Sequence, residues 1–375
     1  MAAMPKRKPI PPIFYPLLAL TLFGVALAIY RMVVGLGTAT NMTDEYPWGI
    51  WITVDIFVIP AAGAAFTTAF VTYFLRQRQY HNIIRPAILT GFLGYAVVGL
   101  LLIMDIGRWH QAYNVFVPAF INFHSFLWEI ALCVTLYTLV LIAENAPTYL
   151  ERHGIHHPIR IINGAILVIA GAGVVLSALH QSSIGSMFLI MSHKLHPLWW
   201  SPALPLFYFV QAVFGGLAMA AIVSYVTWSG LGMSIDDSLI VRIGRVIRAV
   251  LVFYVAIRLA DTLLAGEFGQ LFSSGIFSVL VVTEIIIGVF FPLLILFTRY
   301  GNSAEGVFFS GVFILTGLLL NRLVISGLGI AVPTQLTYVP HWIEVMITVG
   351  FISGALLVYG ATTRFYNLFR VEHQD

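Results

Sequence analysis

HQSSIGSMFLIMSHKLHPLWW, residues His180–Trp200, is the densest run of hydrogen-bonding side chains in a chain otherwise made of lipid-soluble residues. It sits between two long apolar segments, roughly 160–179 and 203–229. Two imidazoles (His180, His196), an amide (Gln181), two hydroxyls (Ser182, Ser183) and two indoles (Trp199, Trp200) oppose insertion into hydrocarbon. The run therefore reads as a loop, or a re-entrant loop, at one face of a membrane, and its flanks read as spans. Tryptophans commonly anchor a chain at the bilayer edge and hydroxyls commonly cap helices. Those habits account for the indoles and one serine, and leave the imidazoles and the amide to be explained.

Composition supports the same class. Apolar residues make up 59% and charged residues 9% of the 375-residue chain, against about 45–50% and about 25% in soluble domains. Windows of about 20 residues can each cross roughly 30 Å of hydrocarbon, and they recur at 12–35, 51–74, 86–104, 119–142, 160–179, 203–228, 244–264, 275–297, 306–325 and 342–363. The connections are too short for a soluble domain, so residues 1–375 are expected to form a single polytopic, all-α membrane domain of ten transmembrane helices. The basic start followed by an apolar run resembles a signal peptide, but the run exceeds the roughly 7–15 residues of a cleaved signal, so a retained helix is expected. One cysteine, Cys133, excludes an intrachain disulfide, a four-cysteine iron–sulfur site and a C-x-x-C-H haem attachment.

Basic residues alternate between the two sets of connections. Lys6, Arg7 and Lys8 precede the first window; Arg76, Arg78 and Arg85 follow the second; Arg152 and Arg160 follow the fourth; Arg242, Arg245 and Arg248 follow the sixth; Arg299 follows the eighth; Arg364 and Arg370 follow the tenth. Arg31, Arg108, Lys194, Arg258 and Arg322 fall on the other side. The positive-inside rule then predicts that both termini are cytoplasmic. The net charge of +3 belongs to these connections, and no basic array suggests nucleic acid.

This orientation gathers the unusual residues toward the outer face: Tyr46-Pro-Trp-Gly49 and Asp55, Asp105 to His110, Asn122, His124 and Glu129, Arg258, Asp261 and Glu267, Arg322, and His341 with Glu344. Glu129, well inside a window that starts near residue 119, is expected near mid-membrane, where a charge costs roughly 2.5–3.5 kcal/mol on insertion scales. A carboxyl that exchanges protons is the physical expectation. Glu284 sits at a similar depth, and WEIALCV and TEIIIGV are faintly alike, so two four-helix bundles (spans 2–5 and 6–9) with two flanking helices are conceivable. Asp55 and Asp105 need partners if buried; Arg108 and Arg322 are available, and an Asp105–Arg108 ion pair clipping helix ends is as good a reading as a functional one. Thr67, Thr68, Tyr95, Thr135 and Tyr137 could carry a hydroxyl path from Glu129 toward Arg85, although Tyr and Thr also pack helix seams routinely. His124 and His180 could clamp a haem b, with no supporting spacing. His153, His156 and His157 read as solvated, so no metal site is expected. A quinone fits better: its head needs a donor or acceptor at each carbonyl, a proton acceptor beside the ring, and an apolar cleft for its tail. His180, Gln181, Ser182, His124, Asp55 and Glu129 offer such groups where lipid has access.

Taken together, Y-P-W-G at 46–49, D-x-G-R-W at 105–109, N-x-H-S-x-L-W-E at 122–129, H-Q-S-S-x-G-S at 180–186 and H-P-L-W at 196–199 resemble the NrfD-like family of polysulfide-reductase membrane subunits, in its ten-helix, HybB-like branch of hydrogenase and sulfate-reducer complexes. The resemblance runs from about residue 13 to 365. It implies a bacterial or archaeal inner-membrane subunit, free of haem and iron–sulfur clusters, that exchanges electrons between a menaquinone pool and a ferredoxin-like iron–sulfur protein outside. That partner would in turn be joined to a hydrogenase, a multihaem cytochrome or a molybdopterin enzyme. Carried over residue by residue, it puts quinone and proton work on Asp55, Tyr95, Glu129 and His180, with Arg85 at the inner end. The expected quinone contacts are His180, Gln181, Ser182, His124, Asp55 and Asn122, and the expected proton path is Glu129, Tyr95, Arg85 and Thr68. Hydrogenase-type relatives can carry an acid near the inner end of the sixth helix, where this chain has Ser224 and Tyr225. Two other classes stay open: a proton-coupled secondary transporter using Glu129 and Glu284, and a passive anchor for redox subunits.

Overall fold

In a computed structural model, the described residues are 10–44, 46–191, 195–231, 237–266, 268–328, 338–366 and 368. Lys6, Arg7, Lys8, Lys194, Glu267 and Arg370 lie outside them. Ten long helices follow one another: α1 (Phe14–Val34), α2 (Ile50–Phe74), α3 (His81–Asp105), α4 (Phe126–Arg152), α5 (Ile166–Leu189), α6 (Leu204–Leu231), α7 (Asp237–Leu264), α8 (Ile276–Phe297), α9 (Ala304–Gly327) and α10 (Trp342–Phe365). Among the described residues nine of these are long and apolar enough to cross a membrane. The other, α7, has 28 residues, or about 42 Å at 1.5 Å per residue. Arg242 and Arg245 sit toward its start and Arg258 toward its end, where long side chains can reach out of hydrocarbon, and Arg248, nearer the middle, donates to the Leu296 carbonyl at 3.2 Å. The chain is an all-helical integral membrane protein.

Helices α2, α3, α4 and α5 pack in sequence with α5 returning to α2, and α6, α7, α8 and α9 do likewise. α6 also lies against α2, α3 and α5, so it forms the seam between the two sets, while α1 and α10 pair with each other beside α2 and α3. Close approach is bought with glycine: a Cβ on Gly317 would meet the Gly288 Cα at 2.1 Å where α8 crosses α9, and one on Gly24 would meet the Gly350 Cα at 2.6 Å where α1 crosses α10. Such small-residue contacts replace the hydrophobic driving force that is missing between helices in lipid.

Two expectations about local structure are corrected. His180 to Leu189 is not a loop, because α5 continues through it; of the rest of the run, Ile190 and Met191 turn, residues 192–194 lie outside the described residues, and Pro197–Trp199 form a short 3-10 helix. The helix tolerates His180, Gln181 and Ser183 because α2, α4 and α6 surround it there and all three are buried. α4 begins at Phe126, capped by Ser125 accepting from the Trp128 amide at 3.4 Å, so Glu129 stands in its first turn and not near its middle.

Candidate functional site

The inward face of α5 presents Ser177, His180 and Gln181, each wholly shielded from solvent. Asp55 of α2, Tyr95 of α3, Tyr137 of α4 and Tyr208 of α6 are buried as well. Tyr95 is the hub: its ring meets Tyr137 edge-on at 4.7 Å and His180 edge-on at 5.7 Å. Among the described residues, both His180 nitrogens, both Gln181 amide atoms and both Asp55 oxygens have no hydrogen-bond partner, and the hydroxyls of Tyr95, Tyr137, Ser177 and Tyr208 make no bond of normal geometry. A buried polar atom left without a bond costs about 1–3 kcal/mol, so the fold gains nothing from having these groups here. Such a concentration points to use.

At the edge of this group lies a half-buried carboxylate. Ser183, one turn from His180 on α5, donates from Oγ to Glu129 Oε1 at 2.7 Å, and the same oxygen lies 2.9 Å from the Leu179 carbonyl. The serine has one hydrogen and two acceptors within reach. With Glu129 ionised the hydrogen goes to the carboxylate; with Glu129 protonated the acid can donate to Ser183 Oγ while the serine turns to Leu179. The pair is therefore satisfied in both protonation states. Ser182 is half-buried beside it on α5, and Asn122 and His124 are exposed in the turn before α4, where Asn122 Oδ1 accepts from the His124 amide at 3.0 Å.

Away from this rim, the column continues along α4. Glu144 follows Tyr137 by seven residues, two helical turns on the same face; it is 9% exposed and its Oε1 has no partner. Beyond it Arg85 forms a two-pronged ion pair with Glu151, at 2.6 and 3.0 Å, at the end of the molecule rich in arginine. Glu144 was not legible as a site residue because the apolar window ends at 142, although its heptad spacing from Tyr137 was there to be read. Thr68 departs from expectation: it lines a small gap of about 20 Å³ with Leu217 and Ile243, facing the seam of α6 and α7. Nor do Asp105 and Arg108 form an ion pair; one Asp105 oxygen has no partner, and the nearby Arg31 donates to the Ile106 carbonyl at 2.8 Å.

The second set of helices handles its polar groups differently. Glu284 accepts from Trp199 at 3.1 Å and Asn321 at 2.9 Å; Asn321 accepts from Arg322 at 2.7 Å; Arg322 donates to Gln211 at 2.7 Å; and Gln211 donates to Tyr254 at 2.9 Å. The guanidinium lies 3.7 Å from the centre of the Tyr208 ring, and its Nε reaches the Ile56 carbonyl at 3.3 Å. That carbonyl lost its helical donor to Pro60, four residues on, so Arg322 closes a gap the proline opens. Outside the spans, burial lowers the His196 imidazole below its ordinary value of 6.5, and its Nδ1 accepts from the Leu198 amide.

A family profile described as "Polysulphide reductase, NrfD" matches residues 38–334. The chain belongs to the NrfD family. Two relatives in that range of similarity cover nearly the whole length. The "Probable Ni/Fe-hydrogenase 2 b-type cytochrome subunit" of Escherichia coli is 30% identical over 352 residues, 92% of this chain and 89% of the relative. The "Menaquinone reductase, integral membrane subunit" of Nitratidesulfovibrio vulgaris is 29% identical over 385 residues, 93% and 90% of the two chains.

The first of those names speaks of a b-type cytochrome, which bears on the pairing of His124 with His180. A haem clamp needs two imidazoles facing across a slot wide enough for a macrocycle. His180 is enclosed and edge-on to Tyr95, whereas His124 is exposed in the turn before α4, so these two do not fit that group. Among the described residues no set of three His, Cys, Asp or Glu could hold a metal ion, and His153, His156 and His157 are exposed.

Proposed function

We propose that this NrfD-family chain is the quinone-reactive membrane subunit of a respiratory oxidoreductase complex. It exchanges electrons between a menaquinone-type pool and a ferredoxin-like iron–sulfur subunit docked at the arginine-poor, extracytoplasmic end, with a catalytic subunit beyond. The support is threefold: the names of the relatives, one the integral membrane subunit of a menaquinone reductase and the other a probable b-type cytochrome subunit of a Ni/Fe-hydrogenase; the arginine-rich end, which the positive-inside rule assigns to the cytoplasm together with both termini; and the site. The observation that carries the reading is the Glu129–Ser183 pair, half-buried one turn from His180 at the edge of a buried group of polar atoms that have no hydrogen-bond partner among the described residues.

Oxidation of one quinol releases two protons and two electrons, and the electrons leave singly to the iron–sulfur partner. In this reading the head group lies at the rim, bounded by Ser182, Glu129, Asn122 and His124. Glu129 takes the two protons one after the other, passing each inward before it takes the next, and the rotation of Ser183 keeps the pair bonded before and after. His180, Gln181 and Asp55 form the inner wall, and Tyr95, Tyr137 and Glu144 extend the route toward the Arg85–Glu151 pair. A histidine or carboxyl beside the ring is what the proton chemistry requires, and a column that excludes lipid keeps the proton from leaking. His180→Ala in the assembled complex is expected to abolish quinone-linked turnover while dye-linked turnover by the partner persists. Unchanged quinone-linked turnover removes His180 from the mechanism.

A further inference from the structure

A cavity lies in the other half of the molecule. It is about 200 Å³ and lies between α7, α8 and the 198–200 turn, with Trp199, Trp200, Tyr254, Arg258, Asp261 and Glu284 among its walls. Four apolar residues at its boundary are more than a third exposed: Val255 at 37%, Leu259 at 49% and Ile285 at 44% on the spans, and Phe268 at 46% in the connection between them.

The hydrogen bonds leave two uncharged donors for a guest. Trp199 N–H is spent on Glu284, and Arg258 donates to the Leu198 carbonyl at 2.9 Å and lies 3.7 Å from Asp261. Trp200 Nε1 is buried and has no partner, and Tyr254 accepts from Gln211, which leaves its own hydrogen free to give. On charge, one guanidinium faces two carboxyl groups, so the walls do not favour an anionic head. On size, an apolar cavity of roughly 150 Å³ admits benzene, so this one has room for a ring system and not for a lipid with its chains. Aromatic walls, two spare N–H and O–H donors, no surplus positive charge and a mouth on lipid together describe the host for a neutral ring bearing carbonyl acceptors.

We propose that the Trp200–Tyr254–Glu284 cavity is a second quinone site, separate from the Glu129–Ser183 rim, which takes the ring through its carbonyl oxygens. The inference rests on the quinone-linked reading above, and it adds a site where that reading places none. Glu284 is already held by Trp199 and Asn321, so here the carboxyl orients an indole and borders the ring.

The test is equilibrium binding of a short-chain 1,4-naphthoquinone to the purified full chain in phosphatidylcholine nanodiscs. Two molecules per chain are expected. Leu259→Trp, which crowds the mouth from an exposed position, should remove one class of site, and Ser182→Trp at the rim should remove the other. Trp200→Phe keeps the ring and deletes the donor, and should weaken the Leu259-sensitive class about fivefold, the effect of one hydrogen bond. Thermal unfolding checks that each variant is folded, and Trp200→Phe carries the test alone if Leu259→Trp is not. A single class of site indifferent to Leu259→Trp and Trp200→Phe overturns this inference and leaves the function standing. Displacement of the Leu259-sensitive class by phosphatidylglycerol also overturns it, in favour of a phospholipid site. Absence of any naphthoquinone binding overturns both.

Discussion

Replacing Glu129 by glutamine separates a carboxyl that exchanges protons from one that only holds its neighbour. The amide has the same shape, and its oxygen can still accept from Ser183 across the 2.7 Å contact, so the helix-to-helix bond survives and stability should change little. What is lost is the ability to take a proton. General acid–base groups contribute about 10²–10⁴-fold in rate, so quinone-linked turnover of Glu129→Gln should fall at least a hundredfold. Ser183→Ala gives the contrast. A hydrogen bond to a charged group is worth about 1.5–3 kcal/mol, but Glu129 is half-buried and water can stand in for the hydroxyl, which brings the loss to about 1 kcal/mol, or roughly fivefold. The assay is steady-state oxidation of a short-chain quinol by the assembled complex, with dye-linked turnover measured in parallel as the control for assembly. The expected order is a large loss for Glu129→Gln and a small one for Ser183→Ala, with dye-linked rates unchanged in both. Equal losses would mean that Glu129 positions and does not titrate; a Glu129→Gln rate within twofold of native would refute the proton role.

Other outcomes follow from the packing and the polar networks. Glu144→Gln should slow quinone-linked turnover without touching dye-linked turnover, read in the same assay, because the column loses its titratable member nearest the arginine-rich end. Arg322→Met should destabilise the bundle: three hydrogen bonds at about 0.6 kcal/mol each, reaching about 1.7 for the best in membrane proteins, come to roughly 2–5 kcal/mol, measured by unfolding in mixed micelles. Gly317→Val should prevent α8 and α9 from closing, since even a Cβ would sit 2.1 Å from Gly288, and should appear as loss of folded protein on size-exclusion chromatography. The cap at His196 should weaken in acid: its imidazole is depressed below 6.5 by burial and must be neutral at Nδ1 to accept from Leu198. Its contribution is therefore complete above the ordinary pKa and is lost as pH falls through the lower folded value, which hydrogen exchange at the Leu198 amide measures once corrected for intrinsic rate.

The spans were readable from hydropathy because lipid imposes a single rule over about 20 residues at a time, and even α7, with its arginines, kept the expected place. The misread stretch is informative about where that rule stops. His180, Gln181 and Ser183 look like loop residues if every face of a helix is assumed to meet lipid. They are helical because α2, α4 and α6 take those faces, a tertiary fact that no local window contains. The depth of Glu129 failed for a smaller reason: Ser125 caps α4 several residues later than the apolar run suggests. Glu144 escaped because the apolar window ends just before it, and the Arg322 network because its partners, the carbonyl freed by Pro60 among them, lie on other helices. The motifs led to the right family, while the identity of the groups that bond to each other came only from the fold.

The central claim is that this chain is the route by which the complex reaches the quinone pool. The most direct measurement compares complexes assembled with and without it in proteoliposomes containing menaquinone, recording dye-linked and quinone-linked turnover side by side. The account predicts that dye-linked turnover is present in both and that quinone-linked turnover requires the chain. Quinone-linked turnover at the native rate without it would contradict the account and make the chain a tether.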